Sequence, residues 1–83
     1  MERKFITEEK LISILNNHLS EYEECNQCEF TSIMELKESD LNGCNWSSAA
    51  LRCSGVSGEL CIPFALTVIT EAQTKYNLKK LNQ

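Results

Sequence analysis

No stretch of this sequence stays apolar for long. The longest candidate, Cys61 to Ile69, contains Pro63 and Thr67. It reaches only half of the roughly 18 apolar residues that cross a bilayer, so no membrane segment is expected. Basic runs are missing as well: eight Lys and Arg are dispersed among twelve Asp and Glu, for a formal charge of −4. That sign is opposite to the electrostatic footprint that binds phosphate backbones and argues against nucleic acid as a main partner. The first ten residues lead into a polar, periodic stretch and not into the continuous apolar segment of a secretory leader, so a cytoplasmic location is the expectation.

Catalytic signatures are also absent. There is one histidine, and no phosphate-binding or dinucleotide glycine pattern, nucleophile elbow, paired carboxylate or zinc-protease motif. Glu38 to Gly43 imitates the first half of a calcium loop, but Ala49 stands where the bidentate Glu belongs. Gly55-Val56-Ser57-Gly58 precedes a helix but is followed by Glu59, which would repel an anion, so it reads as a loop. An enzyme is not expected, nor is a cofactor.

What remains is a chain of 83 residues, 42% hydrophobic and 24% charged, which suits one globular domain spanning residues 1–83. Its first helix begins at Thr7, a capping residue. Glu8 and Glu9 complement the helix dipole, and Ile6 and Leu11 are placed as a hydrophobic staple. At 100° per residue, Leu11, Ile12, Ile14, Leu15, Leu19 and Tyr22 form one arc, and His18 projects into it, reading as a core-edge histidine. Residues 29–37 read as a strand. Asn42-Gly43 is the dipeptide of a type I′ hairpin turn, and Ala49, Leu51 and Cys53 share one face of a second strand. A second helix is expected to start between Ser57 and Pro63, with Cys61, Phe64, Ala65, Val68, Ile69, Ala72 and Tyr76 inward, and the tail from Asn77 is expected to fray. The fold class is therefore α+β: helix, strand, strand, helix, with an antiparallel hairpin packed on two amphipathic helices. A lone hairpin leaves strand edges, so an edge-to-edge homodimer is an open possibility.

Five cysteines are the unusual feature. In a reducing compartment they are expected to be thiols or metal ligands, and the odd count leaves at least one unpaired. Cys25-Asn26-Gln27-Cys28 follows a helix C-terminus among Glu23, Glu24 and Glu29, a setting that disfavours a reactive thiolate. The same pair could anchor zinc, with Cys44 and either Cys53 or His18 completing the set, but no second short-spaced pair is present. Cys53 and Cys61 fall on apolar faces and read as core residues, and Cys44 belongs to the turn.

Trp46, the single tryptophan, follows the turn on the strand parity opposite Leu51. It either faces outward beside Arg52, as a contact residue would, or packs over the turn or under the Ser54–Gly58 loop. The functional expectation is protein binding, to a partner or a second copy, through the hairpin face at Asn45, Trp46 and Arg52. A zinc-stabilised domain built on Cys25 and Cys28 is the alternative.

Overall fold

The computed structural model describes residues 3–55 and 58–79. It is α+β, with strands β1 (Lys4–Ile6), β2 (Cys28–Glu35), β3 (Trp46–Cys53) and β4 (Tyr76–Leu78), and helices α1 (Glu8–Leu19) and α2 (Ile62–Gln73). Short 3-10 turns, Glu23–Cys25 and Gly58–Leu60, precede β2 and α2. None of the helices is long and apolar enough to cross a membrane.

The start of α1 follows its sequence signals. Thr7 caps it by accepting from the Lys10 N–H at 3.2 Å, and Leu11, Leu15 and Leu19 point into the core. Asn16 and Glu8 have a second role. The Asn16 amide accepts from the Phe30 N–H at 2.7 Å and donates to the Phe30 carbonyl at 3.1 Å, while a Glu8 carboxylate oxygen accepts from the Ile33 N–H at 2.9 Å. These side chains occupy the outer edge of β2 as a neighbouring strand would, so α1 closes that edge.

Strands β2 and β3 pair antiparallel, from Cys28 opposite Cys53 to Glu35 opposite Trp46, with irregularities between Phe30 and Ser32 and between Met34 and Glu35. The first explains why the alternation of β2 looked imperfect: the extra residue Thr31 resets the parity, so Phe30 and Ile33 both face inward, whereas the second places its extra residue, Ser47, in β3. The connection is not the expected two-residue turn. It runs from Leu36 to Asn45, and only Gly43 in the Asn-Gly pair has positive φ, at 87°, whereas type I′ needs two such residues. Asp40 organises it instead, its carboxylate accepting from the Asn42 and Cys44 N–H groups while its carbonyl accepts from Gly43. An Asp that folds its own following backbone in this way replaces the hairpin turn.

Beyond the expected four elements, β1 and β4 form a parallel pair, Lys4 opposite Tyr76 to Ile6 opposite Leu78. Tyr76 therefore belongs to a strand and not to α2. Asn77 and Leu78, expected to fray, are buried, and Lys80 to Gln83 lie outside the described residues. Asn77 and Asn45 make this possible. The Asn45 amide donates to the Leu78 carbonyl at 2.9 Å and accepts from its N–H at 2.8 Å, while the Asn77 amide accepts from the Asn45 N–H and donates to the Gly43 carbonyl. Two side-chain amides thus join β4 to the start of β3 and satisfy buried backbone groups that would otherwise cost about 1–3 kcal/mol each.

The core holds Leu11, Leu15, Leu19, Phe30, Ile33, Trp46, Ala49, Ala65, Val68, Ile69, Ala72 and Leu78 between the sheets and both helices. Tyr22 and Phe64 stack at its margin, with ring centroids 4.8 Å apart.

Candidate functional site

Two disulfides set the cysteine chemistry. Cys25 is bonded to Cys61 and Cys28 to Cys53, and among the described residues Cys44 is the free thiol. The expectation of thiols or metal ligands is therefore corrected for four of the five cysteines. Cys53 and Cys61, read as core residues, are half-cystines, although Cys61 is also fully buried. The tertiary fold explains the pairing. Register places Cys28 directly across the ladder from Cys53, and the turn after α1 brings Cys25 to the residue that precedes α2. With the sulfurs of Cys25 and Cys28 committed to different partners, the knuckle cannot supply two thiolate ligands, which argues against the zinc reading. Among the described residues no group of three His, Cys, Asp or Glu is placed to hold a metal.

His18 stands at the margin of the core, beside Ile14, Val68, Ala72 and Tyr76. Its side chain is 53% exposed and lies 3.9 Å from a Glu21 oxygen, because α1 turns Leu15 and Leu19 inward and leaves residue 18 on the solvent side of the arc. Cys44 is buried, its thiol 3.2 Å from the Trp46 carbonyl.

The three residues singled out for contact are separated by the fold. Trp46 is 0% exposed, and its indole N–H donates to the Tyr76 carbonyl at 3.0 Å. Of its two readings, the structure takes the packed one. Asn45, 6% exposed, is occupied with β4. Arg52 alone is exposed, opposite Glu29 in the ladder and at the border of an open cleft of about 450 Å³ lined also by Asn26, Gln27, Cys28 and Ser54.

A different surface emerges beside them. Phe30 and Ile33 direct their backbone groups outward, to Asn16 and Glu8, so their ladder partners Leu51 and Ala49 must direct theirs away from β2 as well. No described strand pairs with that outer edge of β3. At its start, the Gln73 amide donates to the Trp46 and Ser47 carbonyls at 3.0 and 3.2 Å, which fixes the C-terminal end of α2 beside the edge. At its other end Cys53 approaches Gly58, just before α2. Helix α2 therefore runs antiparallel to β3. At 100° per residue, Ile62, Leu66, Ile69 and Gln73 share one stripe, so the stripe borders the same edge. Ile69 is buried, but Ile62 is 48% and Leu66 56% exposed. Sequence periodicity overlooked both because α2 is apolar on more than one side, and the inward arc accounted for its pattern without them.

No known protein family, curated protein or solved structure matches this chain.

Proposed function

We propose that the chain is a disulfide-stabilised binding module that engages a protein through the outer edge of β3 and the adjoining Ile62 and Leu66. The observation that supports this most is the unguarded edge. Ser47-Ser48-Ala49-Ala50-Leu51 carries no charge and no proline, the usual devices that keep a monomer's edge strand from pairing. The edge of β2, by contrast, is closed by Asn16 and Glu8. Strand addition supplies backbone hydrogen bonds, and a flanking helix supplies apolar contacts for alternate side chains. Arg52 lies at the rim of this surface, while Asn45 and Trp46 hold the start of β3 in place from inside. The reading assigns no catalytic step and no cofactor to the chain.

Two disulfides also support work in an oxidising compartment in place of the cytoplasm, because glutathione and thioredoxin keep most cytosolic thiols reduced.

The test is selection of binders from a displayed library of unstructured peptides, followed by backbone NMR mapping. Shifts confined to Ser48–Arg52 and Ile62–Leu66, lost in Leu66→Glu, are expected. Binders that all map elsewhere, or no enrichment over an unrelated disulfide-bonded domain, would overturn the reading.

A further inference from the structure

We infer that the Cys28–Cys53 bridge is a thiol–disulfide exchange site for a small amino-acid or peptide thiol, which is taken up on Cys28 while Cys25–Cys61 stays closed. This goes beyond the binding reading above and does not rest on it.

The two disulfides differ in access. Cys25 and Cys61 are 1% and 0% exposed, whereas Cys28 and Cys53 are both part-exposed. Cys28 also lines the open cleft of about 450 Å³ beside Arg52, a space in the range that admits a small ligand. Exchange requires a thiolate to reach one sulfur of the bridge, so the buried pair is protected and the pair at the cleft is not.

The surroundings choose between the two sulfurs. Cys53 is not part of the cleft wall, and its Sγ lies against Gly58, where an added Cβ would stand only 3.5 Å away. Cys28 is therefore the sulfur attacked and Cys53 the one that leaves. The incoming thiolate bonds to the Cys28 sulfur as the Cys28–Cys53 bond breaks, and the electron pair of that bond stays on Cys53, which takes a proton from water. A second thiol then removes the first as a small disulfide and frees Cys28. Complete turnover reduces the bridge by two electrons and oxidises two thiols to their disulfide.

The ladder makes the step reversible. Because Phe30 turns its backbone groups to Asn16, the Phe30–Leu51 pair is non-hydrogen-bonded, and so is the Cys28–Cys53 pair two residues along. The Glu29–Arg52 pairing lies on one side of it, and the Ser54 N–H donates to the Gln27 carbonyl at 2.9 Å on the other. These backbone bonds persist when the sulfurs part, so the Cys53 thiolate stays near the mixed disulfide and can expel the small thiol again. Cys25–Cys61 meanwhile keeps the start of α2 tied to the turn before β2.

Charge gives the class of thiol. Among the described residues no salt bridge engages Arg52, which can pair with a carboxylate of the incoming molecule. Glu29, across the ladder and on the same cleft, suits an ammonium group and would repel a purely anionic thiol. Asn26, Gln27 and Ser54 complete a polar wall.

The test exposes the oxidised full chain to a glutathione redox buffer, with N-ethylmaleimide quenching and peptide mass mapping. The expected first product carries glutathione on Cys28 and maleimide on Cys53, with Cys25–Cys61 intact and Trp46 emission unchanged. Its rate should not rise in urea below the unfolding transition. At equal thiolate concentration it should exceed the rate with cysteamine, which lacks a carboxylate, by about threefold or more, and Arg52→Gln should erase that preference. Opening of Cys25–Cys61 first or equally fast, glutathione on Cys53, or a rate that climbs with urea as unfolding does overturns the exchange site. A missing preference for glutathione, or one that survives in Arg52→Gln, overturns the class of thiol.

Discussion

The two disulfides are nested, since the ring closed by Cys25 and Cys61 contains the ring closed by Cys28 and Cys53. Their contributions should therefore depend on one another in a calculable way. Taken alone, the chain-entropy relation gives about 3.8 kcal/mol for the outer ring, with its sequence separation of 36, and about 3.5 kcal/mol for the inner ring, with its separation of 25. With the inner bridge present, the outer one closes only about eleven residues of free chain, the segments 25–28 and 53–61, and its share falls to about 2.8 kcal/mol. The pair together then contribute about 6 kcal/mol, and the inner bridge adds about 2.5 kcal/mol once the outer is formed. The measurement is urea unfolding of the wild type, Cys25→Ala/Cys61→Ala, Cys28→Ala/Cys53→Ala and the variant lacking all four. Because Cys25 and Cys61 are buried, lost packing adds about 1 kcal/mol to the first pair. A domain of this length holds about 4–12 kcal/mol in total, so each pair variant should still fold, with a midpoint lowered by more than 10 °C, and the four-fold variant should sit near its unfolding threshold. The urea slope should rise as cross-links are lost, because the unfolded chain expands. If removing the outer pair costs less than about 1 kcal/mol while mass spectrometry confirms the inner bridge, the nested-ring reasoning is wrong.

Other outcomes follow from single hydrogen-bonded positions. Trp46→Ala should cost about 3–5 kcal/mol, since it empties a fully buried site and orphans the Tyr76 carbonyl; in the wild type, acrylamide should quench the indole only weakly until denaturant is added. Asn45→Ala should cost about 2–4 kcal/mol and selectively speed amide exchange at Leu78, which loses its acceptor; exchange spread evenly over the molecule would contradict the assigned pairing. Asn16→Ala removes both partners of Phe30 from the edge of β2 and should cost about 1–3 kcal/mol, with increased aggregation at high concentration as the readout.

Local order was legible in the residues, because it depends on neighbours in sequence. Thr7, Glu8 and the leucine spacing of α1 sufficed to place that helix, and Pro63 fixed the first turn of α2. The two central strands and the α+β class were readable for the same reason. Strands β1 and β4 were not, since three residues carry no usable alternation and their pairing joins opposite ends of the chain. The Asn42-Gly43 signal pointed to a turn but to the wrong one, because the Asp40 side chain competes for the same backbone.

The candidate site divides along the same line. By itself the sequence determined composition, the Thr7 cap of α1, the Pro63 start of α2 and the lack of any catalytic motif. It also identified Arg52 as an exposed strand residue, because alternation along one strand is a local property. Only the tertiary structure decided that Trp46 and Asn45 turn inward, where partners some thirty residues away satisfy their polar atoms. It alone decided which cysteines pair, because a disulfide requires proximity in space and spacing along the chain does not encode it. It also decided how the two edges differ: α1 presents Asn16 and Glu8 to the outer edge of β2, while among the described residues no strand pairs with the outer edge of β3 and Gln73 of α2 reaches only its start. That asymmetry arises from the docking of each helix, a long-range outcome that no window of sequence contains.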